Sequence, residues 1–395
     1  MSTKSLLTGC AIGCAVVVFL LVVGGYLAYR HYLAPQMARM MAEMQSVGEA
    51  VVVKGADFLE KTIFLSDERL SMVTDIALGN FTGQPGADIG VASPCGALFL
   101  DDDHRVKSRV QFQTYSPGAD LVDHVDIVDV EGDGVCEFIN RGSWSRNPSL
   151  IDHAGKMVWR YGGRFPGVDD MCAGDVDGDG LLEFAVGFNG DGGVHLVGSN
   201  GKRRWKAPGG NVWSVATVDA NGDGKLEIAH SGPDEVGDIA ILDAAGKTIS
   251  TLEIEPVVTV FSLCRYPGSA PQPDLLMADD GAIWLVGLDG KTRKHLPASP
   301  ETGEGDAIGV AVKLRADQPE YLAVLEMSEE FRGATLYVFD STGEIVYHEK
   351  LGERCGAIAS LPQPGSATEQ LLVGGNGRVL AFQAKGTPEQ SAGGG

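Results

Sequence analysis

The sequence predicts an all-β fold, a seven-bladed β-propeller of four-stranded blades, preceded by one N-terminal transmembrane helix. An acidic loop recurs three times between short apolar strands, and strand-turn-strand patterns recur at intervals in the middle forties, enough for seven repeats. Four short strands per repeat at such a period are typical of propeller blades. A long uncharged stretch near the amino terminus predicts the helix.

The clearest acidic loop is Asp175–Glu183, which reads Asp-Val-Asp-Gly-Asp-Gly-Leu-Leu-Glu. Carboxylates at alternate positions can wrap their oxygens around one hard cation, and calcium takes about six to eight oxygen ligands. The glycines between them permit the tight turn. A loop of the EF-hand type needs a glutamate at its twelfth position, where this chain has Val186, and the flanking segments read as strands. We therefore predict a calcium loop within a β-hairpin.

The same spacing recurs on both sides of this loop, over residues 129–137 and 219–227. The earlier copy has Glu131 and the later copy Asn221 where the middle loop has Asp177. Closely packed carboxylates repel one another without a cation, so three copies with matching spacing favour metal loops over solvated turns. The middle loop, with three aspartates and a glutamate, is expected to bind most tightly.

The remaining repeats have no such loop. In the first repeat, only Asn80 and Asp88 are expected oxygen donors, so this repeat is predicted to be a hairpin without metal. The three repeats that follow the acidic ones also lack an acidic loop. The last repeat has little room for a fourth strand. Either Ala50–Val53 or Thr62–Leu65 could supply that strand from the other end of the domain and so pair the open edges of the ring.

The stretch Ser5–Tyr29 contains no charged side chain and lies between Lys4 and Arg30. At about 1.5 Å per helical residue, it is long enough to cross a hydrocarbon core of about 30 Å with some tilt. A cleaved signal peptide would have a shorter apolar centre and a small-residue cleavage site. We interpret the stretch as a single uncleaved anchor.

Four segments are therefore predicted along the chain. They are an N-terminal membrane anchor at 1–30, a helical stalk or linker at 31–61, the seven-bladed propeller with calcium hairpins at 62–385, and a disordered tail at 386–395. The stalk contains strong helix-forming sequence after Pro35. The tail is rich in glycine, proline and serine.

Composition excludes one class of partner. Acidic residues outnumber basic ones 53 to 31, for a net charge of −22. Nucleic-acid binding needs a basic face, so no nucleic-acid partner is expected. The seven cysteines show no Cys-x-x-Cys or Cys/His metal spacing, and most are expected to be buried thiols. A bridge between Cys95 and Cys355 is left open.

The acidic loops resemble the FG-GAP/VCBS repeats of integrin α-subunit-like propellers, whose calcium hairpins carry Asp-x-Asp/Asn-x-Asp-Gly and a later acidic residue. By periodicity the resemblance extends from about Asp75 to Gln383, while the motif itself occurs three times. It implies a propeller that serves adhesion or protein–ligand recognition, with Ca2+ in the hairpins. The calcium ligands that it implies are Asp129, Glu131, Asp133, Glu137, Asp175, Asp177, Asp179, Glu183, Asp219, Asn221, Asp223 and Glu227.

Two Gly-Lys-x-x-Trp segments, Gly155–Trp159 and Gly201–Trp205, are similar to those of quinoprotein-type propellers. We interpret them as strand-packing features and expect no quinone cofactor. His104, His124, His153, His195 and His230 fall at different repeat positions and are expected to be surface or packing residues.

No catalytic motif is recognised, since neither Gly-x-Ser-x-Gly nor His-Glu-x-x-His occurs. The leading hypothesis is a membrane-anchored, calcium-stabilised propeller that acts as a non-catalytic binding or adhesion scaffold for a protein or glycan ligand. The alternative is a propeller enzyme, a lyase or hydrolase, with its active site at the central channel.

The expected location follows from the metal. Loops with water-accessible ligands fit the weaker, extracellular class of calcium site, with dissociation constants of about 0.1 to 1 mM. Cytosolic calcium is far below that range. We therefore predict a single-pass membrane protein with a cytoplasmic amino terminus and an extracytoplasmic propeller from about Arg30 onward.

Overall fold

The computed structural model describes residues 49–82, 88–113, 124–142, 147–162, 167–208, 210–232, 238–254, 260–268, 272–299, 306–327 and 333–386. The predicted anchor and most of the predicted stalk and tail lie outside these residues. In the part that is described, no helix is long and apolar enough to cross a bilayer.

The chain forms seven antiparallel sheets, one for each predicted repeat. Blades one and two are built from β3 (Asp75–Gly79), β4 (Asp88–Ser93), β5 (Gly96–Leu100), β6 (Val106–Gln111), β7 (His124–Val128), β8 (Glu137–Gly142), β9 (Ser149–Ile151) and β10 (Met157–Arg160). Blades three and four are built from β11 (Val168–Gly174), β12 (Glu183–Phe188), β13 (Gly193–Val197), β14 (Arg203–Ala207), β15 (Val215–Val218), β16 (Glu227–Ser231), β17 (Asp238–Leu242) and β18 (Thr248–Glu253).

Blades five to seven follow the same plan. Blades five and six contain β19 (Ser262–Cys264), β20 (Asp274–Asp279), β21 (Ala282–Val286), β22 (Thr292–Pro297), β23 (Ala307–Val312), β24 (Tyr321–Met327), β25 (Ala334–Phe339) and β26 (Ile345–Lys350). Blade seven contains β27 (Ala357–Pro362), β28 (Glu369–Gly374) and β29 (Arg378–Ala384), and two further strands, β1 (Val51–Lys54) and β2 (Leu59–Ser66), precede blade one. The predicted all-β, seven-bladed propeller is confirmed.

The first strand of each blade lies innermost. Contacts between first strands join β11 to β15, β19 to β23, β23 to β27, β27 to β3 and β3 to β7. In blades one to six the three later strands extend outward in chain order, whereas the outermost strand of blade seven is β2. The short connections between consecutive strands produce this order, because a tight hairpin can join only antiparallel neighbours.

The ring is closed by the segment that precedes blade one. Strand β2 pairs antiparallel with β29 and completes blade seven, with Lys61 opposite Phe382. The closing strand is therefore the later of the two predicted segments. Strand β1 instead pairs with β26 and adds a further strand outside the four strands β23 to β26 of blade six. Propeller strands begin at Val51, upstream of the predicted boundary at residue 62.

The core consists of seven apolar layers, each between two neighbouring blades. In β12, Phe184 and Val186 pack toward blade two, whereas Ala185 packs toward blade four. Such strands are buried on both faces, which explains their continuous apolar sequence. The last layer joins Leu372 of blade seven to Val91 of blade one, so the ring of apolar layers is closed.

The two Gly-Lys-x-x-Trp segments join successive blades. The indole Nε1 of Trp159 donates to the carbonyl of Ser199 at 2.8 Å, and Trp205 makes the same bond to Ala244 at 2.8 Å. A Cβ on Gly201 would lie 2.7 Å from Cγ of Trp159. Each indole thus packs on the turn of the next blade, where glycine leaves room for the ring.

The cysteines act as small apolar groups. The five that the structure describes are free thiols, so the bridge left open between Cys95 and Cys355 is absent. Burial raises the pKa of Cys136 and of Cys264 to about 12, which keeps both thiols protonated.

Candidate metal centre

The three acidic loops occupy the same place in blades two, three and four. Each joins the first strand of its blade to the second, so that its first carboxylate follows the inner strand and its last one begins the second strand. In blade three, Asp175 comes directly after β11 and Glu183 is the first residue of β12. Strand pairing holds these two ends opposite each other, with Gly174 paired to Glu183.

The first aspartate of each loop orders the turn through backbone hydrogen bonds. Oδ1 of Asp175 accepts from the amides of Gly178 at 2.8 Å and Asp179 at 3.1 Å, and Oδ2 accepts from Gly180 at 3.0 Å. Asp219 accepts the equivalent bonds in blade four, and Asp129 accepts two of them in blade two. The shared spacing therefore produces one shared loop conformation.

Two glycines in each loop make this turn possible. Gly178 has φ +76° and Gly180 has φ +89°, and a Cβ at either position would meet no atom within 4 Å. The backbone is therefore left-handed, which glycine adopts without strain, and the space beside it is open.

The last carboxylate reaches back under the loop. Glu183 is fully buried, and its Oε2 accepts from the amide of Val176 at 3.1 Å. Glu137 and Glu227 accept the equivalent bonds from Val130 at 3.1 Å and Ala220 at 2.9 Å.

In blade three these arrangements bring three carboxylates together. Oxygens of Asp175, Asp177 and Glu183 all lie within 4.8 Å of one another, the one such group of three metal-ligating side chains among the described residues. The set fits calcium, which prefers several hard oxygen donors in a flexible loop. Oε1 of the buried Glu183 also accepts no hydrogen bond of good geometry, although it lies at the cluster.

The other predicted ligands do not form such a cluster of oxygens among the described residues. Asp133, Asp179 and Asp223 each turn Oδ1 toward a backbone amide two residues on, at 2.8 to 2.9 Å. Asn221 donates from Nδ2 to Glu227 at 3.1 Å, and Glu131 is exposed. These side chains border their loops, and a bound cation would have to draw their oxygens inward.

The electrostatics of the loops favour a cation. Burial raises the pKa of Glu137, and the negative charges of Asp129 and Asp133 add to that shift. Burial likewise raises the pKa of Glu183, while the positive charge of Arg204 opposes the increase. A divalent ion would offset the cost of keeping such carboxylates ionised.

The sequence analysis did not predict the role of Arg204, the second residue of β14. Its guanidinium contacts Asp177, and its Nη2 lies 2.8 Å from Oε1 of Glu183 and 3.9 Å from Oδ2 of Asp179. Strand pairing brings β14 beside the loop, so the spacing of residues along the chain could not have predicted the contact of Arg204 with the loop carboxylates.

A second charged group that the sequence analysis missed joins β8 to the first strands of blades two and three. Arg141 of β8 bonds Asp126 of β7 at 2.6 Å through Nε and Asp170 of β11 at 3.0 Å through Nη1. Burial and the nearby Asp126 raise the pKa of Asp75 to about 7. The aspartates that recur in the first strands of successive blades were the sequence signal that could have predicted this charged group. Of the histidines, His195 is buried in blade three and His230 in blade four, whereas His124 begins β7 and its pKa is lowered by burial and by the charge of Arg141, with Asp126 opposing that shift.

The fold and loops define a class, the β-propellers that carry acidic hairpin loops between the first and second strands of their blades. Residues 175–230 match the FG-GAP-like repeat, a segment that contains the second and third acidic loops. This match and the seven-bladed fold support an FG-GAP-type β-propeller. No curated protein sequence is significantly similar to it.

Solved structures with the same fold have little sequence in common with this chain. BBS1N in complex with ARL6DN has a TM-score of 0.54 at 10% identity, covering 87% of this chain and 98% of that one. Streptogramin B lyase has a TM-score of 0.54 at 10% identity, covering 84% and 100%. BamB from Moraxella catarrhalis has a TM-score of 0.44 at 15% identity, covering 86% and 97%. For the first two structures, at 10% identity, the likeness shows the fold alone.

Proposed function

We propose that the chain is a calcium-stabilised, non-catalytic binding scaffold. The observation that carries this proposal is the convergence of Asp175, Asp177 and Glu183 within 4.8 Å, in a loop conformation repeated in the two neighbouring blades. Calcium bound at such loops would tie the first strand of each blade to the second. A closed ring of seven sheets then offers broad, rigid faces on which a partner can dock.

The calcium part is tested by thermal unfolding of the purified protein. Because an ion that binds only the folded state adds stability, the melting temperature should rise with calcium in the 0.1 to 1 mM range and fall on adding chelator. Magnesium at the same concentration is the control, since it demands near-octahedral geometry and keeps its waters. An unchanged melting temperature with calcium would refute the stabilising role.

The scaffold part concerns a protein or glycan ligand. Its support is the fold itself, for which one similar structure is a propeller in complex with another protein, BBS1N with ARL6DN. Binding to protein and glycan arrays should survive substitution of the inner-strand charges, for example Arg141→Met, provided that the variant folds. Loss of all binding in such a variant would instead favour a site at the channel.

The location remains part of the proposal, with residues 1–30 as a membrane anchor and the propeller outside the cytoplasm. The support is the uncharged stretch Ser5–Tyr29 and the weak class of calcium loop. Protease added to intact cells or spheroplasts should digest the propeller or release it near the stalk. Complete protection until lysis would contradict this topology.

The second candidate function is an enzyme with its active site at the central channel. The observation that favours it is the inner charged group, in which Arg141 lies between Asp126 and Asp170, and Asp75 has a pKa raised to about 7. A pKa near neutrality suits a general acid or base. Turnover of ester, lactone or glycoside substrates that is lost in Asp75→Asn, with the melting temperature kept, would establish this alternative.

A further inference from the structure

In blades one to five, one residue of the outermost strand lies at a β-bulge, and in blades one, three and five it forms an ion pair with the acidic residue that begins the second strand. In blade three this residue is Arg204. The pairing of β13 with β14 places Leu196 opposite Trp205 and Val197 opposite Arg203, so Arg204 is the extra residue of the bulge. The acidic residue that begins the second strand is the other member of each pair. In blades one to five the pairs are Lys107 with Asp88, Val158 with Glu137, Arg204 with Glu183, Ile249 with Glu227, and Arg293 with Asp274.

Blades one, three and five have a cation at this position. Nζ of Lys107 lies 2.8 Å from Oδ1 of the buried Asp88. Nε of Arg293 lies 3.9 Å from Oδ1 of Asp274, which is also buried. In blade three the cation is Arg204, and of these three blades only blade three carries one of the acidic loops.

Blades two and four have an apolar residue there. Val158 is 55% exposed and Ile249 is 50% exposed, so neither contributes charge or covers its loop. Among the described residues, Glu137 and Glu227 form no ion pair, and their partners are backbone amides and the amide of Asn221. These two loops therefore depend on an external cation to balance their carboxylates.

We propose that Arg204 is an internal cation for the loop of blade three and competes there with calcium. This inference rests on the proposed calcium binding. The guanidinium contacts Asp177 and Glu183, two of the three carboxylates that converge. A calcium ion needs those same oxygens, so Arg204 must leave before the ion can bind. Its side chain is 34% exposed, which gives it a path to solvent.

The competition reverses the order of affinities expected from the number of acidic residues. The ion pairs of Arg204 with Asp177 and with the buried Glu183 stabilise the calcium-free loop, so displacing Arg204 should weaken calcium binding in blade three by about tenfold. Blades two and four would then bind calcium first. Blade three would keep its loop folded at calcium concentrations at which its neighbours loosen.

The test measures each loop separately in the full-length chain purified in detergent. Hydrogen exchange of the peptides that cover residues 129–137, 175–183 and 219–227 is followed by mass spectrometry over a calcium titration. In the wild type, protection of 175–183 by calcium should need about tenfold more ion than protection of the other two. Without calcium, 175–183 should be the most protected of the three.

Arg204→Ala should remove both differences. Calcium should then protect 175–183 at about tenfold lower concentration than in the wild type, and this peptide should exchange faster in chelator. Lys202→Ala is the matched control, because Lys202 lies in the adjoining turn and forms no ion pair with the loop carboxylates among the described residues, and it should change neither quantity. Arg204→Gln provides a second variant if the alanine variant folds poorly.

The converse substitution tests the same rule in blade four. Ile249→Arg places a guanidinium at the equivalent bulge and should raise the calcium concentration that protects 219–227, whereas Ile249→Gln should not. If 129–137 and 219–227 respond to calcium but Arg204→Ala leaves 175–183 unchanged, this proposal fails and calcium stabilisation stands. If no loop responds to calcium in any variant, both fail.

Discussion

Nη2 of Arg204 and Oε1 of Glu183 lie 2.8 Å apart, although 20 residues separate them along the chain and they belong to different strands of one blade. The pairing of β12, β13 and β14 brings the two side chains to the same end of the sheet. The acidic loop of blade three is therefore an ion-pair site as well as a candidate metal site. The charge balance of each loop depends on its outermost strand.

The first aspartate of a loop should affect calcium binding beyond its effect on the fold. Asp219→Ala removes the acceptor for the amides of Gly222, Asp223 and Gly224, together with a predicted ligand. We expect a loss of about 1 to 3 kcal/mol in the free energy of unfolding and no calcium protection at 219–227. Urea unfolding and hydrogen exchange measure the two effects.

Asp243→Ala is the matched control for this substitution. Asp243 lies in the β17–β18 turn of the same blade and accepts from the amides of Ala245 at 3.0 Å and Lys247 at 2.9 Å, with no hydrogen bond to the acidic loop among the described residues. It should lose similar stability yet keep calcium binding in blade four. Equal calcium responses in the two variants would argue against Asp219 as a ligand.

The contact between Trp159 and Gly201 should be sensitive to one methyl group. Gly201→Ala places a Cβ 2.7 Å from Cγ of Trp159 at φ +73°. We expect a loss of about 2 to 4 kcal/mol in the free energy of unfolding, from left-handed backbone strain and overpacking together. Gly365→Ala is the control, because Gly365 has φ +72° and open space around its Cβ position. Strain alone should cost about 1 kcal/mol there, and equal losses would contradict the packing role of the indole.

Acid should destabilise blade three through His195. Burial lowers the pKa of this imidazole to about 4, whereas it is about 6.5 in an unfolded chain. Between these values the unfolded state binds one more proton than the folded state. Stability is therefore lost as the pH falls from about 6.5 to about 4, by at most about 1.4 kcal/mol per pH unit.

His195→Gln should flatten this part of the stability profile, since glutamine does not titrate and can still hydrogen-bond the hydroxyl of Tyr161, which lies 2.8 Å from Nδ1 of the imidazole. The measurement is urea unfolding at pH 4.5, 5.5 and 6.5. The exposed His153 provides the control through His153→Gln, which should leave the profile unchanged. An unchanged slope in His195→Gln would refute the assignment.

Closure of the ring should depend on β2 and not on β1. A chain that starts at Ala56 keeps β2 and its pairing with β29, so we expect it to unfold cooperatively.

A chain that starts at Asp67 lacks the closing strand and leaves the edge of β29 open. It also loses Lys61, the basic partner of the buried Glu349. We expect this chain to aggregate, because an open edge and an unpaired buried carboxylate are both costly. Size-exclusion chromatography and thermal unfolding distinguish the two, and a monomeric, cooperative chain from Asp67 onward would contradict the closure role.

The sequence determined the repeat, the number of blades and the position of the acidic loops. These features are local: alternating carboxylates and glycines specify a turn, and short apolar runs between turns specify hairpins. The closing strand could also be foreseen, because the last repeat lacked its fourth strand. The two apolar segments that could supply it were indistinguishable in sequence, and only the pairing with β29 showed that Leu59–Ser66 closes the ring while Val51–Lys54 extends blade six.

Tertiary structure decided which loops have a cation of their own. Arg204, Val158 and Ile249 occupy equivalent places only because a bulge in each outer strand sets the register, and nothing near the acidic loops in sequence indicates this. The inner contact of Arg141 with Asp170 likewise joins two blades. Charges act through space over a few ångströms, so the residues that balance a loop are the ones that folding brings beside it.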